Sequence, residues 1–539
     1  MKQAVLLLIT TLSAIAGFSQ VTLTDSNLPI VVITQPLGQT INDATRIVCD
    51  MGVIDNGNGV RNYMTDPFNN YNGKIAIEVR GSTSQQYPKK SYGFETQDAL
   101  GMNFNVPLLG LPIENDWILY GPYPDKTLLR DVLTYDLSQK MGHYASNWRY
   151  CELVIDGDYK GLYILLERVK RDNNRVDVAR LDADDLAGDS LTGGYIVKVD
   201  KLTGEVGYSW TSAYNNEVVF QFHDPEYDEL NPIQASYMED FVTDFEQATW
   251  GPQFDDPNLG FDQYIDRTSF YDFFILQELG RTVDGYRSSS FMHKDKNSGA
   301  WNGKLVAGPM WDFNLSYGNA DYCDADLTTG WQYNFDEVCN FTTAIPFWWE
   351  KLLQSTSYRN GLRCRWEELR QGPLHTDTIH QWIDSMVNYL SEARIRNFQE
   401  WPIIGVYVNW NAFVGATYEE DVTYLKNYIA QRALWMDANI PGICDLAVEE
   451  TQFEPEYFRV WPNPLKDNGY VGVTLKRAGN LRFELVDIAG RTVLSADQGV
   501  KSAGEFAFPF SGESLVSGTY LFKIFLDDEV IGSGKLIKQ

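Results

Sequence analysis

The stretch 284–318, DGYRSSSFMHKDKNSGAWNGKLVAGPMWDFNLSYG, begins with the acid Asp284 and carries a second acid, Asp312, near its end. Residues 289–294 and 304–310 have the composition of strands, and the polar segment between them, rich in Asn and Gly, suits a hairpin turn. Asp312 is therefore expected to emerge where the second strand ends. The stretch predicts two acids at loop positions on either side of a hairpin.

A helix is predicted immediately before this stretch. Asp266 is a typical N-cap, apolar residues follow at helical spacing, and Gly280 falls where a left-handed C-cap is expected. Asp284 then lies just past a helix end. A helix, an acid, a hairpin and a second acid is the order in which protein kinases place a catalytic base and a metal-holding Asp, because phosphoryl transfer needs one group on the hydroxyl and another on magnesium.

Composition limits the function classes. The chain has 539 residues, of which 44% are hydrophobic and 14% aromatic, enough for a large domain and smaller ones. Lys and Arg total 44 against 73 Asp and Glu, which gives a net charge of −29. Such a charge repels nucleic acids and anionic membranes. The sequence therefore predicts no role in nucleic-acid binding. Strands in the first part of the chain and helices in the later part predict an α+β fold.

The N-terminus is typical of a secretory signal peptide. Lys2 precedes an apolar run from Ala4 to Ala16, and small residues, Gly17 and Ser19, stand before a cleavage site at Gln20. We therefore predict a signal peptide over residues 1–19 and a secreted protein. No later stretch reaches the roughly 18 apolar residues that a membrane span needs.

Six cysteines are scattered along the chain without a CxxC pair, which favours disulfides over a zinc site. Cys323 and Cys339 flank an acidic, aromatic loop just after the central stretch. We predict a disulfide between these two residues.

Before the central stretch, strands alternate with turns. A strand over 75–79 leads into Arg80-Gly81-Ser82-Thr83-Ser84, a turn whose backbone N–H groups could hold phosphates or simply join two strands. In the next strand, alternation puts Lys90 on the face of Tyr92 and Phe94, so Lys90 is predicted to point inward and to need a partner or ligand. Glu167 ends a later apolar strand, either as a solvated strand end or as the ion-pair partner of Lys90.

Two charged regions of the first half are predicted to lie on the surface. Arg130 and Asp131 occupy an amphipathic helix, where they are expected to form a surface pair. The stretch 169–189 is rich in charge and suits an exposed loop with a short helix. Arg130 and Asp131 are not predicted to be catalytic.

From residue 341 to 440 the pattern is largely helical, and a linker over 441–454 leads to a short all-β tail at 455–539. Alternating strands broken by Gly and Asn turns predict a small β-sandwich. The segments Trp461-Pro462-Asn463-Pro464, Val486-Asp487-Ile488-Ala489-Gly490-Arg491 and Gly518-Thr519-Tyr520 closely resemble the type A C-terminal sorting domain of type IX secretion in Bacteroidetes. This resemblance implies export by the type IX machinery to the medium or the cell surface.

The larger part of the chain, residues 28–440, resembles the CotH (spore coat protein H) family of atypical kinases. The motifs that carry the resemblance, in order, are Arg80–Ser84, Lys89-Lys90-Ser91-Tyr92, Asp116-Trp117, Leu129-Arg130-Asp131, Gly161-Leu162-Tyr163 through Glu167, Asp284-Gly285-Tyr286-Arg287 and Gly308-Pro309-Met310-Trp311-Asp312-Phe313-Asn314. The resemblance implies a kinase-like fold and phosphorylation of protein Ser/Thr with ATP and Mg²⁺ or Mn²⁺.

The resemblance also implies roles for individual residues. Lys90 is similar to the lysine on the ATP phosphates, Glu167 to its ion-pair partner, Asp284 to the acid that accepts the hydroxyl proton, and Asp312 to the metal-coordinating Asp. Arg80 and Ser82 belong to the predicted phosphate turn.

One position departs from the general kinase pattern. The Asn five residues after the catalytic Asp is here Ser289, so either Asn314 completes the metal site or the site holds one metal or none. The chain has neither a Walker lysine motif nor a GxGxxG loop.

Three functions compete at this stage. The leading prediction is a secreted atypical protein kinase. The alternative is a catalytically silent cell-surface binding or adhesion protein that keeps the fold. A metal-dependent hydrolase using Asp284 and Asp312 is weaker, because only five histidines are present and none cluster.

Overall fold

A computed structural model describes residues 21–202, 207–339, 341–444, 458–487, 490–527 and 529–539. The predicted signal peptide and most of the predicted linker lie outside these residues. The chain divides into two compact units, Met1–Cys444 and Asp445–Gln539. Its mixture of helices and strands is α+β.

The first unit contains most of the secondary structure. Its strands are β1 (Asp25–Ser26), β2 (Ile30–Thr34), β3 (Ile47–Ile54), β4 (Asn62–Tyr63), β5 (Tyr71–Arg80), β6 (Ser91–Gln97), β7 (Asp116–Tyr120), β8 (Trp148–Ile155), β9 (Asp158–Glu167), β10 (Tyr195–Val199), β11 (Ser209–Thr211), β12 (Val219–Asp224), β13 (Ser290–Lys294) and β14 (Leu305–Ala307). Its helices are α1 (Arg130–Lys140), α2 (Gly188–Leu191), α3 (Pro232–Trp250), α4 (Arg267–Gly280), α5 (Phe335–Val338), α6 (Trp348–Leu352), α7 (Thr356–Arg370), α8 (Thr376–Tyr389), α9 (Ala393–Glu400) and α10 (Tyr418–Asn439).

Seven strands of this unit form a closed barrel in the order β2-β3-β5-β6-β7-β9-β8. Neighbouring strands are antiparallel except where parallel pairing of β2 with β8 closes the barrel. Alternate residues point inward and fill the interior, among them Ile75, Ile77, Phe94, Trp117 and Leu119. Closure leaves this sheet without a free edge. Strand β5 ends at Arg80, where the predicted phosphate turn begins.

A second, antiparallel sheet has the order β11-β12-β10-β13-β14. The β13–β14 hairpin is the one predicted from the central stretch. Helix α4 packs against β14 and against α7, so its C-terminal end and the end of the hairpin lie in the same core. The helix end that precedes Asp284 and the strand end that precedes Asp312 thereby belong to one packed body.

The start of α4 follows the prediction and its end does not. The side chain of Asp266 accepts a 2.8 Å bond from the N–H of Ser269 as the N-cap. The left-handed C-cap, however, is Arg281 (φ +42°), and Gly280 is the last helical residue. A Cβ on Gly280 would come within 3.3 Å of the Phe313 ring, so glycine serves close packing here.

The second unit is all β. Its strands are β15 (Phe458–Trp461), β16 (Asn468–Leu475), β17 (Gly479–Val486), β18 (Thr492–Lys501), β19 (Gly504–Ser511), β20 (Gly518–Leu526) and β21 (Glu529–Lys538). They form two antiparallel sheets, β15-β16-β19 and β18-β17-β20-β21, which share one apolar core. Alternation along β17 buries every second residue, as period-two patterning predicts.

The predicted disulfide Cys323–Cys339 is confirmed. A second disulfide joins Cys364 of α7 to Cys444, within the segment predicted as linker. Cys49 and Cys151 are buried thiols of the barrel. In the part of the chain that the structure describes, no helix combines the length and apolar character of a membrane span.

Candidate active site

The two acids of the central stretch lie close enough for the charge of Asp284 to raise the pKa of Asp312. Burial, and then the nearby carboxylates of Asp284 and Asp200, raise the pKa of Asp312 to about 7. Burial also raises the pKa of Asp284; the charges of Arg287 and Lys201 oppose the rise, and Asp200 adds to it. The charge of Asp200 thus acts on both Asp284 and Asp312, and we call these three carboxylates the acidic site.

Asp312 has an unusual backbone conformation. Its φ is +63°, in the left-handed region that residues with side chains rarely adopt. The side-chain amide of Asn314 donates a 2.9 Å bond to Oδ1 of Asp312. The two predicted metal-site residues are therefore in direct contact.

Asp284 is positioned by Arg287. Nη2 of Arg287 lies 3.4 Å from Oδ1 of Asp284, and the guanidinium also donates to Val283 O and Thr343 Oγ1. The rings of Phe335 and Phe341 lie 4.3 Å and 4.5 Å from the same guanidinium. Phe335 belongs to the loop closed by the Cys323–Cys339 disulfide, so this loop helps to fix the group that faces Asp284.

The turn at 80–84 lies at the same site. The positive charge of Arg80 is close enough to lower the pKa of Asp312, and its guanidinium lies 5.9 Å from the ring of Trp311. Gly81 has φ +103°, and Lys201 Nζ lies 3.5 Å from Thr83 Oγ1. Arg80 and Ser82, predicted to face phosphates, thus belong to a turn beside the acids.

The predicted inward orientation of Lys90 is wrong. Strand β6 begins only at Ser91, so its alternation does not extend to the two lysines before it. Lys89 is the buried one and donates to Leu162 O (2.5 Å) and Asn397 Oδ1 (2.8 Å). Lys90 is half-buried and donates to Gln85 O (2.6 Å), directly after the phosphate turn.

The predicted ion pair between Lys90 and Glu167 is also wrong. Glu167 is fully buried and pairs with Arg175, whose Nη2 lies 3.0 Å from Oε1. Asn147 Nδ2 donates to the other carboxylate oxygen (2.8 Å). Arg175 comes from the charged stretch predicted to be exposed, and its burial beside three carboxylates explains why that prediction failed.

Arg130 and Asp131 do not form a surface pair either. Both are buried at the start of α1. Arg130 pairs with Asp125 and donates to Ser316 O (3.0 Å), and Asp131 accepts from the N–H of Phe313 (2.7 Å). The helix is buried along most of its length, so a surface expectation based on charge alone was misplaced.

The sequence analysis did not identify Asp200 and Lys201 as residues of the site. They follow strand β10, and their only signal was their position at the end of an apolar strand. Asp200 lies 3.3 Å from Lys198, and its carboxylate contributes to the raised pKa of both Asp284 and Asp312.

The donor set suits a divalent metal that arrives with other ligands. Carboxylate and amide oxygens are the ligands that Mg²⁺ prefers, and it usually takes one or two carboxylates together with phosphate oxygens. Asp312 and Asn314 offer such atoms, and their surroundings are rich in negative charge. Among the described residues, no cluster of three or more His, Cys, Asp or Glu side chains could enclose a metal ion. Asp312 and Asn314 alone would leave most ligands of such a metal to come from phosphate and water.

The chain matches two known families. The model of "CotH kinase protein" matches residues 77–436, which include all the site residues described above. The model of "Secretion system C-terminal sorting domain" matches residues 459–539, which make up nearly all of the second unit. The sorting domain indicates secretion or a cell-surface location.

Individual proteins add little. No curated protein matches the chain. A solved structure, the Pseudomonas fluorescens alkylpurine DNA glycosylase AlkC bound to DNA containing an abasic site analog, is 10% identical, with a TM-score of 0.12. The match covers 36% of this chain and 50% of the glycosylase, so this chain spans about half of its length. A likeness at this level supports no statement about fold or function.

Proposed function

The chain belongs to the CotH kinase protein family, and from this premise we propose that it is an exported atypical kinase. It transfers phosphate from ATP to Ser or Thr of a protein substrate, with Mg²⁺ or Mn²⁺. The observation that supports the proposal is that the charges of Asp284, which a hairpin separates from Asp312 in sequence, and of Arg80 both act on the carboxylate of Asp312. Phosphoryl transfer needs such groups on opposite sides of the transferred phosphate.

Asp312 and Asn314 are the proposed metal ligands. When bound, the metal would neutralise charge on the phosphate oxygens. Asp312 supplies a carboxylate whose direction is fixed by its left-handed backbone, and Asn314 holds that carboxylate through its amide. Nearby Asp200 adds negative charge, which favours a cation at this place.

Asp284 is the proposed acceptor of the substrate hydroxyl proton. A raised pKa brings a carboxyl closer to the range in which it can take up a proton, and burial raises that of Asp284. Arg287 contacts the same carboxylate and is itself held by aromatic rings and backbone oxygens. Asp284 is thereby oriented without being fully neutralised.

The phosphates would lie against the 80–84 turn. Arg80, Ser82 and Lys90 are the proposed contacts, and Lys201 joins them as a cation beside Thr83. Lys90 reaches phosphate only by releasing Gln85 O, five residues before it. Glu167, bound to Arg175, contributes by supporting the barrel end and does not orient Lys90.

Calorimetric titration of the mature protein with ATP and Mg²⁺ or Mn²⁺ tests the proposal. We expect metal-dependent binding that Asp312→Ala weakens by at least about 100-fold, the order of loss when a buried charge-assisted contact is removed. Phosphate transfer to a Ser/Thr substrate protein is then measured with labelled ATP.

Asp50→Ala is the matched control. It removes an exposed carboxylate of the barrel that pairs with Lys74, and it should bind nucleotide like the wild type. A folded wild-type protein that binds no nucleotide with either metal would reject the kinase proposal. Capture of glycans or proteins by that protein would then support the alternative, a catalytically silent binding or adhesion protein, to which Ser289 in place of a metal-binding Asn already points.

A further inference from the structure

Asp131 lies on a different element from the acidic site but is bonded to the residue next to Asp312. Its Oδ1 accepts a 2.7 Å hydrogen bond from the backbone N–H of Phe313. Asp131 is 5% exposed and Phe313 is fully buried. The bond is therefore shielded from water, where leaving the buried N–H without an acceptor is costly.

A second bond from the same helix turn supports the first. Nε of Arg130 donates to the carbonyl of Ser316 (3.0 Å), and the guanidinium also pairs with Asp125. The first turn of α1 thus holds an N–H and a carbonyl of the chain that follows Asp312. Both side chains of this turn are themselves buried and fixed.

The segment 312–316, which these two bonds hold, contains a residue in an unfavourable backbone conformation. Asp312 is left-handed, a state that a residue with a Cβ leaves when nothing compels it. The peptide that joins Asp312 to Phe313 carries the N–H bonded to Asp131. Fixing this N–H fixes the peptide plane, and with it the direction of the Asp312 side chain.

We infer that Asp131 is a positioning residue that orients the Asp312 carboxylate through the amide of Phe313. This inference rests on the proposed function for its effect on metal and nucleotide, but the bond itself can be measured alone. Asp131→Asn keeps an oxygen that can accept from Phe313, and Asp131→Leu removes the acceptor while keeping a side chain branched at Cγ.

Amide hydrogen exchange and calorimetry together test the inference. In Asp131→Leu we expect exchange of peptides spanning 308–318 to rise at least about tenfold, and metal-dependent ATP affinity to fall at least about tenfold. In Asp131→Asn both should stay within about threefold of the wild type. If Asp131→Asn keeps the wild-type exchange and affinity, Asp131 acts as a hydrogen-bond acceptor and its negative charge is not required.

Asp295→Leu is the matched control. Asp295 is another buried carboxylate that accepts a backbone N–H, that of Ala179, at 2.9 Å. This variant should lose stability, yet leave exchange at 308–318 and ATP affinity unchanged.

The outcomes separate the two proposals. Unchanged exchange in Asp131→Leu, or an Asn variant that behaves like the Leu variant, overturns the inference. Absence of nucleotide binding in the wild type rejects the proposed function, while the exchange result still decides whether Asp131 holds the segment.

Discussion

The barrel and the segment that carries the acids are built in different ways. Within residues 281–324, which we call the site segment, the residues with side chains in the left-handed region are Arg281, Tyr286, Ser289, Asn302, Asp312, Tyr317, Cys323 and Asp324. Over the much longer range 30–167, which includes the barrel, they are Leu109, Leu128 and Asp156. Left-handed residues with side chains, which cost conformational free energy, are thus concentrated in the segment that carries the acids, where surrounding contacts hold them.

The contacts that hold the two regions differ accordingly. The barrel is held by an apolar interior and regular ladders. The site segment also has a ladder, in the β13–β14 hairpin, and buried apolar residues, but its loops are held in addition by individual polar bonds. Examples are the bond from the N–H of Tyr317 to Gly280 O (2.6 Å) and the bond from the N–H of Phe313 to Asp131. The difference suggests that substitutions in the barrel change mainly stability, and those in the site segment change mainly binding.

The largest expected effect is in the barrel interior. Trp117 is fully buried opposite Phe94, and Trp117→Ala should lower the free energy of unfolding by about 3–5 kcal/mol, through lost burial and a cavity. Denaturant unfolding measures the loss. Calorimetry on the folded fraction should give wild-type ATP affinity, and a large loss of affinity would break the division between the two regions.

A pH effect of intermediate size is expected at Lys89, at the end of the barrel. Burial lowers the pKa of Lys89 to about 7 from its ordinary 10.5. Because the unfolded chain holds this proton more tightly, the free energy of unfolding should rise as pH increases from about 7 toward 10.5. Relative to Lys89→Met, wild-type stability should rise by about 2 kcal/mol between pH 7 and pH 9.

Lys90→Met is the control for this measurement. Lys90 is half-buried and donates to a backbone carbonyl, so Lys90→Met removes a neighbouring lysine that the barrel does not enclose. Parallel pH curves for the wild type and Lys89→Met would show that the buried lysine carries no such effect.

The smallest expected effect is in the site segment. Ser289 has φ +49°, so Ser289→Gly should raise the free energy of unfolding by about 1 kcal/mol by relieving the backbone. Ser289→Asn tolerates this conformation and adds an amide oxygen, which should tighten metal-dependent ATP binding by about threefold. Denaturation and calorimetry measure the two effects. Unchanged stability in both variants would mean that this conformation stores no strain.

Much of the regular structure could be predicted from the sequence. Alternation identified barrel strands, capping chemistry identified the start of α4, and the polar turn between two strand-like runs identified the β13–β14 hairpin. These signals are local, so they survive in a single sequence. Closure of the barrel through the parallel pair β2–β8 depends on contacts more than a hundred residues apart, and no local pattern reports it.

The site was predicted in part. The charges of Asp284 and Arg80 both act on Asp312, and the roles of these residues stay predictions. The predicted orientation of Lys90 and the predicted partner of Glu167 are wrong. Charged residues such as Arg175 and Asp131 look like surface residues in sequence, because their burial depends on partners supplied by distant segments. A buried ion pair leaves no periodic signal.

The Cys364–Cys444 disulfide has a mechanical consequence. It closes a loop that contains α8, α9 and α10, and Cys444 is the last described residue before the β-tail. A pull applied through the tail during export or at the cell surface is therefore borne by a covalent bond to α7. While this bond is intact, tension on the tail does not separate α10 from α7 by pulling on its C-terminal end.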